Sequence, residues 1–123
     1  MANKILIADD EQNIVISLEF LMKREGYEVV IAHDGEEAIE KIRNELPDLV
    51  LLDVMMPKKS GFEVCQEVKS DPELQSVRIL MLTAKGRDTE VAKGLALGAD
   101  AYMTKPFATK ELVARVQSML EQG

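Results

Sequence analysis

Leu49-Val50-Leu51-Leu52-Asp53-Val54-Met55-Met56-Pro57 is the stretch that most limits the folds open to this chain. Four consecutive aliphatics carry no polar alternation, so they suit a strand buried on both faces, as in the middle of a parallel sheet. Pro57 lacks an N–H and stops the ladder soon after. The acid at the strand's carboxyl end stands where open α/β sheets bind ligands. Asp53 is therefore either a site residue or the polar end of a strand. The choice depends on what the other strands bring to the same rim.

Four more strands alternate with helical patterns. Ile5-Leu6-Ile7-Ala8 is a short apolar strand running into Asp9-Asp10-Glu11. Ile14, Leu18, Leu21 and Met22 recur at helical spacing, and Gly26 closes that helix. Residues 27–32 form a second strand with a charge inside it, which suits a sheet edge. Asp34-x-x-Glu37 opens a helix with Ala38, Ile39, Ile42 and Leu46 inward, ended by Pro47. Ser60-x-x-Glu63 opens another, with Phe62, Val64, Cys65 and Val68, and Ser70-Asp71-Pro72 breaks it. Residues 77–83 are a fourth strand. Asp88 caps a helix carrying Val91, Ala92 and Leu95, which Gly98 terminates. Ala101-Tyr102-Met103-Thr104 is a short fifth strand before Lys105-Pro106-Phe107. A last helix presents Leu112, Val113, Val116, Met119 and Leu120.

Strand and helix alternating five times predict a doubly wound α/β fold: a five-stranded parallel sheet with helices on both faces. The most apolar strands, first and third, belong in the middle. An order of 2-1-3-4-5 satisfies this and puts the topological switch point between them. The 123 residues fit one domain, residues 1–123, with no linker or change of composition along them. A hydrophobic content of 46% with 30% charged residues is that of an ordinary globular protein. The formal net charge of −7 argues against a domain that grips nucleic acid or an anionic membrane. No apolar run is long enough to span a bilayer, and the start of the chain is too briefly apolar for a signal peptide. The one cysteine, Cys65, cannot make an intramolecular disulfide and reads as a small core residue. These features make a cytoplasmic location the expectation.

The residues just past the strand ends converge. The predicted order brings Asp9-Asp10, Asp53, Thr83-Ala84 and Lys105-Pro106 to one end of the sheet. Taken singly, Asp10 could be a helix cap, Thr83 a strand end and Lys105 a solvated charge. Together they make a chemistry. Three clustered carboxylates repel one another unless a cation intervenes. An all-oxygen set suits a hard ion such as Mg²⁺, which takes one or two carboxylates with waters and a phosphate. Metal, lysine and hydroxyl around one carboxylate form an arrangement for phosphoryl transfer, the carboxylate itself being the nucleophile.

With the Asp9-Asp10 pair, Asp53-Val54-Met55-Met56-Pro57 followed by Gly61, Leu82-Thr83-Ala84, and residues 98–107 ending in Thr104-Lys105-Pro106-Phe107, the whole chain resembles the receiver domains of two-component response regulators, a flavodoxin-like fold. The resemblance implies that Asp53 accepts a phosphoryl group from a phosphohistidine on a sensor histidine kinase or phosphotransfer protein. It implies Mg²⁺ held by Asp10, Asp53 and the main-chain carbonyl of Met55, with Asp9 supporting it through water. Thr83 and Lys105 would contact phosphoryl oxygens. The Lys105-Pro106 bond would be cis, and Tyr102 would be the switch aromatic, signalling to an output domain or downstream protein. Such a domain is a phosphoacceptor that promotes only its own phosphorylation and dephosphorylation, not an enzyme acting on others.

The wording from Leu82 to Val116, with Met55 and Lys85 beside the site, is most similar to receivers of winged-helix transcription factors. Those dimerise through charge pairs. Glu111 and Arg115 match that pattern, but Val91 stands where the relatives have arginine and Ala101 where they have aspartate. Monomer and phosphorylation-dependent dimer both stay open. Met55 and Lys85 are expected to set how long the phosphoryl group survives.

Three other readings compete. A haloacid-dehalogenase-type phosphatase shares the nucleophile, metal, threonine and lysine, but needs a second acid where this chain has Met55. A flavodoxin-like nucleotide binder would need a glycine-rich loop after the first strand. A phosphotransfer histidine could only be His33, which falls in a loop away from the rim.

Overall fold

In the computed structural model, residues 3–84 and 88–121 are described. Five parallel strands, β1 (Lys4–Ala8), β2 (Glu28–Ala32), β3 (Leu49–Asp53), β4 (Arg78–Ala84) and β5 (Ala101–Lys105), lie in the order β2-β1-β3-β4-β5. Five helices join or follow them: α1 (Gln12–Arg24), α2 (Gly35–Glu45), α3 (Gly61–Ser70), α4 (Asp88–Ala96) and α5 (Thr109–Glu121), with one 3₁₀ turn at Pro72–Leu74. The expected doubly wound architecture and strand order are both present.

The aliphatic run of β3 works as two interleaved sets. Val50 and Leu52 pack with Ala38, Ile42, Val64 and Val68, on the side of α2 and α3. Leu49 and Leu51 pack with Leu18, Met22, Leu112 and Val116, on the side of α1 and α5. With both faces covered, no position in the run can be polar until the strand leaves the core at Asp53. The partly exposed strands are β2 and β5, at the edges.

Two caps follow their local chemistry. Asp34 accepts a hydrogen bond from the Glu37 N–H at 2.8 Å and Ser60 from the Glu63 N–H at 3.3 Å, each satisfying an open donor of a first turn. Glu37 does not complete a box with Asp34; its carboxylate instead accepts from the His33 N–H.

Three inward assignments need correction. Leu46 is 58% exposed, because it is the C-cap of α2 in the left-handed conformation (φ 46°) and has left the helix register. The inward set of α1 lacked Val15, which is buried, while Ile14 packs partly buried against the core as expected. In α4 the buried residue is Gly94; Leu95 is 44% exposed, Ala92 is exposed and Val91 half-buried. Asp88 sits inside the first turn of α4. Cys65 is buried, as a core residue should be. Among the described residues, no helix is long and apolar enough to cross a membrane.

Candidate phosphoryl-transfer site

β1 and β3 are paired with Ala8 opposite Leu52, so the next residues along each strand, Asp9 and Asp53, emerge side by side. Asp9 is fully buried, and both of its carboxylate oxygens are engaged. Oδ1 accepts from the Glu11 N–H at 2.9 Å and Oδ2 from Lys105 Nζ at 3.1 Å. The first of these bonds closes the turn into α1, whose N-cap, Glu11, makes no side-chain cap of its own. Asp10 is exposed and is not the cap of that helix. Its carboxylate lies with those of Asp9 and Asp53, one oxygen of each within 4.8 Å of the others.

Asp53 is only 6% exposed. Its Oδ1 accepts from Lys105 Nζ at 3.2 Å, so one ammonium bridges acids that lie 96 and 52 residues away in the chain. Burial pushes the Asp53 carboxyl up to about 6, the Asp9 charge adds to this, Lys105 opposes it, and Asp10 adds the least. For Lys105, burial alone would lower the pKa, but the Asp53 and Asp9 carboxylates outweigh it and hold the ammonium above its ordinary value. Its position, last residue of β5, gives it this reach, and the Lys105-Pro106 bond after it is cis.

Behind Asp53 the chain turns back on itself. The Gly61 N–H donates to the Val54 carbonyl at 2.9 Å, and a Cβ on Gly61 would lie 2.3 Å from the Asp53 carbonyl oxygen. Only glycine admits so close an approach, which fixes the start of α3 against the end of β3.

Asp10, Asp53, Met55, Thr83 and Lys105 line one cleft of about 290 Å³, joined by Glu90 of α4. Thr83, 2% exposed near the end of β4, donates from Oγ1 to Glu90 Oε1 at 3.0 Å. Met55 is 69% exposed at the cleft. Tyr102, on β5, is 41% exposed and lies with Glu111 and Arg115 around a separate shallow hollow. Lys85 lies outside the described residues. His33 does not line the cleft; its Nδ1 sits 3.2 Å from Glu37 Oε1.

The residues singled out at strand ends thus come together around one cleft, with Tyr102 beyond it. Glu90 is the participant that sequence reasoning missed. Its one signal is its place in the first turn of a helix that comes after a rim strand.

The donor set suits a hard divalent cation. It offers only oxygens, three carboxylates share one small volume, and the upward push on Asp53 by Asp9 and Asp10 is the repulsion such an ion would relieve. A larger hollow of about 370 Å³, lined by Asp48, Lys69, Arg78 and Asp100, offers no comparable set. Its lysine is already held by Asp100 at 2.9 Å and by the Val77 carbonyl at 2.8 Å.

Residues 5–117 match the family model described as the response regulator receiver domain. Solved structures are similar over nearly the whole chain. A protein assigned as a response regulator from Chloroflexus aurantiacus J-10-fl is 38% identical, with a TM-score of 0.94 over 98% of this chain and 99% of that one. The chemotaxis response regulator CheY4 of Vibrio cholerae is 32% identical, with a TM-score of 0.90 over 97% and 99%. The signal receiver domain of a signal transduction histidine kinase from Syntrophus aciditrophicus is 30% identical, with a TM-score of 0.92 over 98% and 92%.

Proposed function

Because this chain belongs to the response regulator receiver domain family of two-component systems, we propose that residues 1–123 act as one receiver whose Asp53 takes a phosphoryl group from a phosphohistidine. The donor is a sensor histidine kinase or a phosphotransfer protein, and the setting is cytoplasmic. A carboxylate oxygen of Asp53 attacks phosphorus, the P–O bond forms as the P–N bond breaks, and the donor imidazole leaves. Water later hydrolyses the acyl phosphate and restores the carboxylate. The observation that carries this reading is the single ammonium of Lys105, 3.1 Å from Asp9 and 3.2 Å from Asp53, at the mouth of the switch point.

Each side chain has a task. With its carboxyl raised only to about 6, Asp53 is mostly ionised at pH 7 and so available as a nucleophile. Lys105 offsets charge arriving on the phosphoryl oxygens. Asp10, Asp53 and the Met55 main-chain carbonyl would hold Mg²⁺, with Asp9 supporting it through water. When bound, the ion neutralises charge on the group being transferred. Met55, exposed at the cleft, limits water's access and so tunes the lifetime of the product.

Signalling comes from contacts that exist only after transfer. Moving a two-state equilibrium from 1:99 to 99:1 needs about 5.5 kcal/mol. Hydrogen bonds to charged groups contribute roughly 1.5–3 kcal/mol each. Two or three new bonds to the phosphoryl oxygens, from Thr83, Lys105 and a backbone amide near Ala84, are enough. Tyr102, now exposed, turns inward as Thr83 moves, and the face made by α4, β5 and α5 changes for an output domain or downstream protein. Val91 and Ala101 deprive that face of two charges used for pairing in winged-helix relatives, which weakens dimerisation by that route.

The test is incubation with acetyl phosphate and Mg²⁺ followed by intact-mass measurement. Wild type gains the mass of one phosphoryl group and Asp53→Asn gains none. Equal labelling of both would move the acceptor elsewhere.

A further inference from the structure

The Thr83–Glu90 hydrogen bond joins the cleft to a weakly held helix. Thr83 Oγ1 donates to Glu90 Oε1 at 3.0 Å, and Glu90 is the third residue of α4. A hydroxyl has one proton to donate, so Thr83 cannot serve Glu90 and a second acceptor at once. Among the described residues, the apolar hold on α4 is thin. Its buried residue is Gly94, set against the Met81 side chain, while Leu95 is 44% exposed. Lys93 adds a contact over the Phe62 ring, 4.6 Å from its centroid. By contrast α5 buries Leu112, Val116 and Met119. An element with so little apolar burial opens at low cost, and a bond in its first turn adds to what closes it.

We propose that Glu90 is a positioning residue: it commits the Thr83 proton to α4 in the unphosphorylated protein, forming a latch that a phosphoryl group on Asp53 displaces. The displacement rests on the reading of Asp53 as phosphoacceptor. It has two causes, both set by the shared cleft. The phosphoryl oxygens are a stronger, more highly charged acceptor for the Thr83 proton. They also repel the Glu90 carboxylate that lines the same space. No covalent bond changes. The Thr83 proton stays on Oγ1 and exchanges one acceptor for another, and the first turn of α4 is released.

The test reads both ends of the latch. Amide hydrogen exchange over residues 88–96 is measured in the unphosphorylated protein, and phosphate uptake from acetyl phosphate with Mg²⁺ is followed by intact mass. The proteins compared are wild type, Glu90→Ala, Glu90→Gln, Thr83→Ala and the Thr83→Ala/Glu90→Ala pair. Glu90→Ala should speed α4 exchange about tenfold, the worth of one charged hydrogen bond, and accelerate phosphate uptake several-fold. Glu90→Gln keeps an acceptor without the charge, so it should retain much of the α4 protection while still taking up phosphate faster. In the Thr83→Ala background, Glu90→Ala should change α4 exchange and phosphate uptake less than it does beside Thr83, because the shared hydrogen bond is already gone and only the charge is left to remove. An equal effect of Glu90→Ala with and without Thr83 would overturn the latch, as would α4 exchange identical to wild type. Wild type that never gains phosphate would overturn the phosphoacceptor reading and the displacement with it, whatever the exchange data give.

Discussion

Asp53 is held in a state that costs stability. Its carboxyl is raised to about 6 from an ordinary 3.8, with burial the largest cause. Between those values the native chain binds more protons than the unfolded one. The contribution of Asp53 to stability is therefore greatest below about pH 4, falls as pH rises from there through 6, and stays lower above it. Asp53→Asn removes the charge and keeps the shape. Without divalent cations it should raise the unfolding free energy at pH 7.5 by about 1–3 kcal/mol, the ceiling being two pKa units, and by almost nothing at pH 4. Calorimetry across that range checks it. Lys105→Met has the opposite character. Losing the cation that restrains the Asp53 pKa should push it above 6 in a carbon-13 carboxyl titration, and should destabilise the protein most above that pH. These residues were legible because each comes directly after, or ends, a recognisable strand. Glu90 was not, because it is one of 22 acids and nothing local to residue 90 reveals that Thr83 faces it.

The elements were legible in proportion to how much apolar surface they bury. β3, covered on both faces, could hardly be misread, whereas α4 was assigned the wrong face. Val91, Ala92 and Leu95 offered a hydrophobic stripe, but the helix turns Gly94 to the sheet, and glycine carries no hydropathy signal. Leu46 escaped for a related reason: periodicity cannot register a left-handed cap. Two glycines make the difference between positions measurable. A Cβ at Gly61 would meet backbone, at 2.3 Å from the Asp53 carbonyl oxygen and 2.9 Å from Val54 Cα. A Cβ at Gly94 would meet only the flexible Met81 side chain, at 3.4 Å or more, and Phe62 beyond it. Gly61→Ala should thus cost roughly 1–3 kcal/mol in urea unfolding and slow phosphorylation, because it shifts the strand end that carries Asp53. Gly94→Ala should stay within about 1 kcal/mol of wild type, its gain in helix propensity offsetting the crowding. Similar costs at both glycines would contradict this account of α3.

At the scale of the whole molecule, the acids of the cleft are neighbours only because of the strand order. Residues 9 and 10 are brought to residue 53 by the pairing of β1 with β3, and no local turn could do it. The unfolded chain has no such cluster, so a divalent cation that uses it binds the native state alone and stabilises by mass action. At a hundred times its dissociation constant the gain is about 2.7 kcal/mol. For a chain of this size that is roughly 10 °C in melting temperature. Mg²⁺ titrated into wild-type protein should raise the midpoint steadily with the logarithm of its concentration once in excess. The net charge of −7 supplies a competing explanation, since any salt screens self-repulsion. Asp10→Asn separates the two. Asp10 is exposed and caps no helix, so its loss leaves the packing alone while removing one carboxylate of the three. At matched ionic strength in NaCl, wild type and variant should rise together. In Mg²⁺ wild type should rise several degrees further, and an equal rise in both would assign the effect to screening and remove the cation from the cleft.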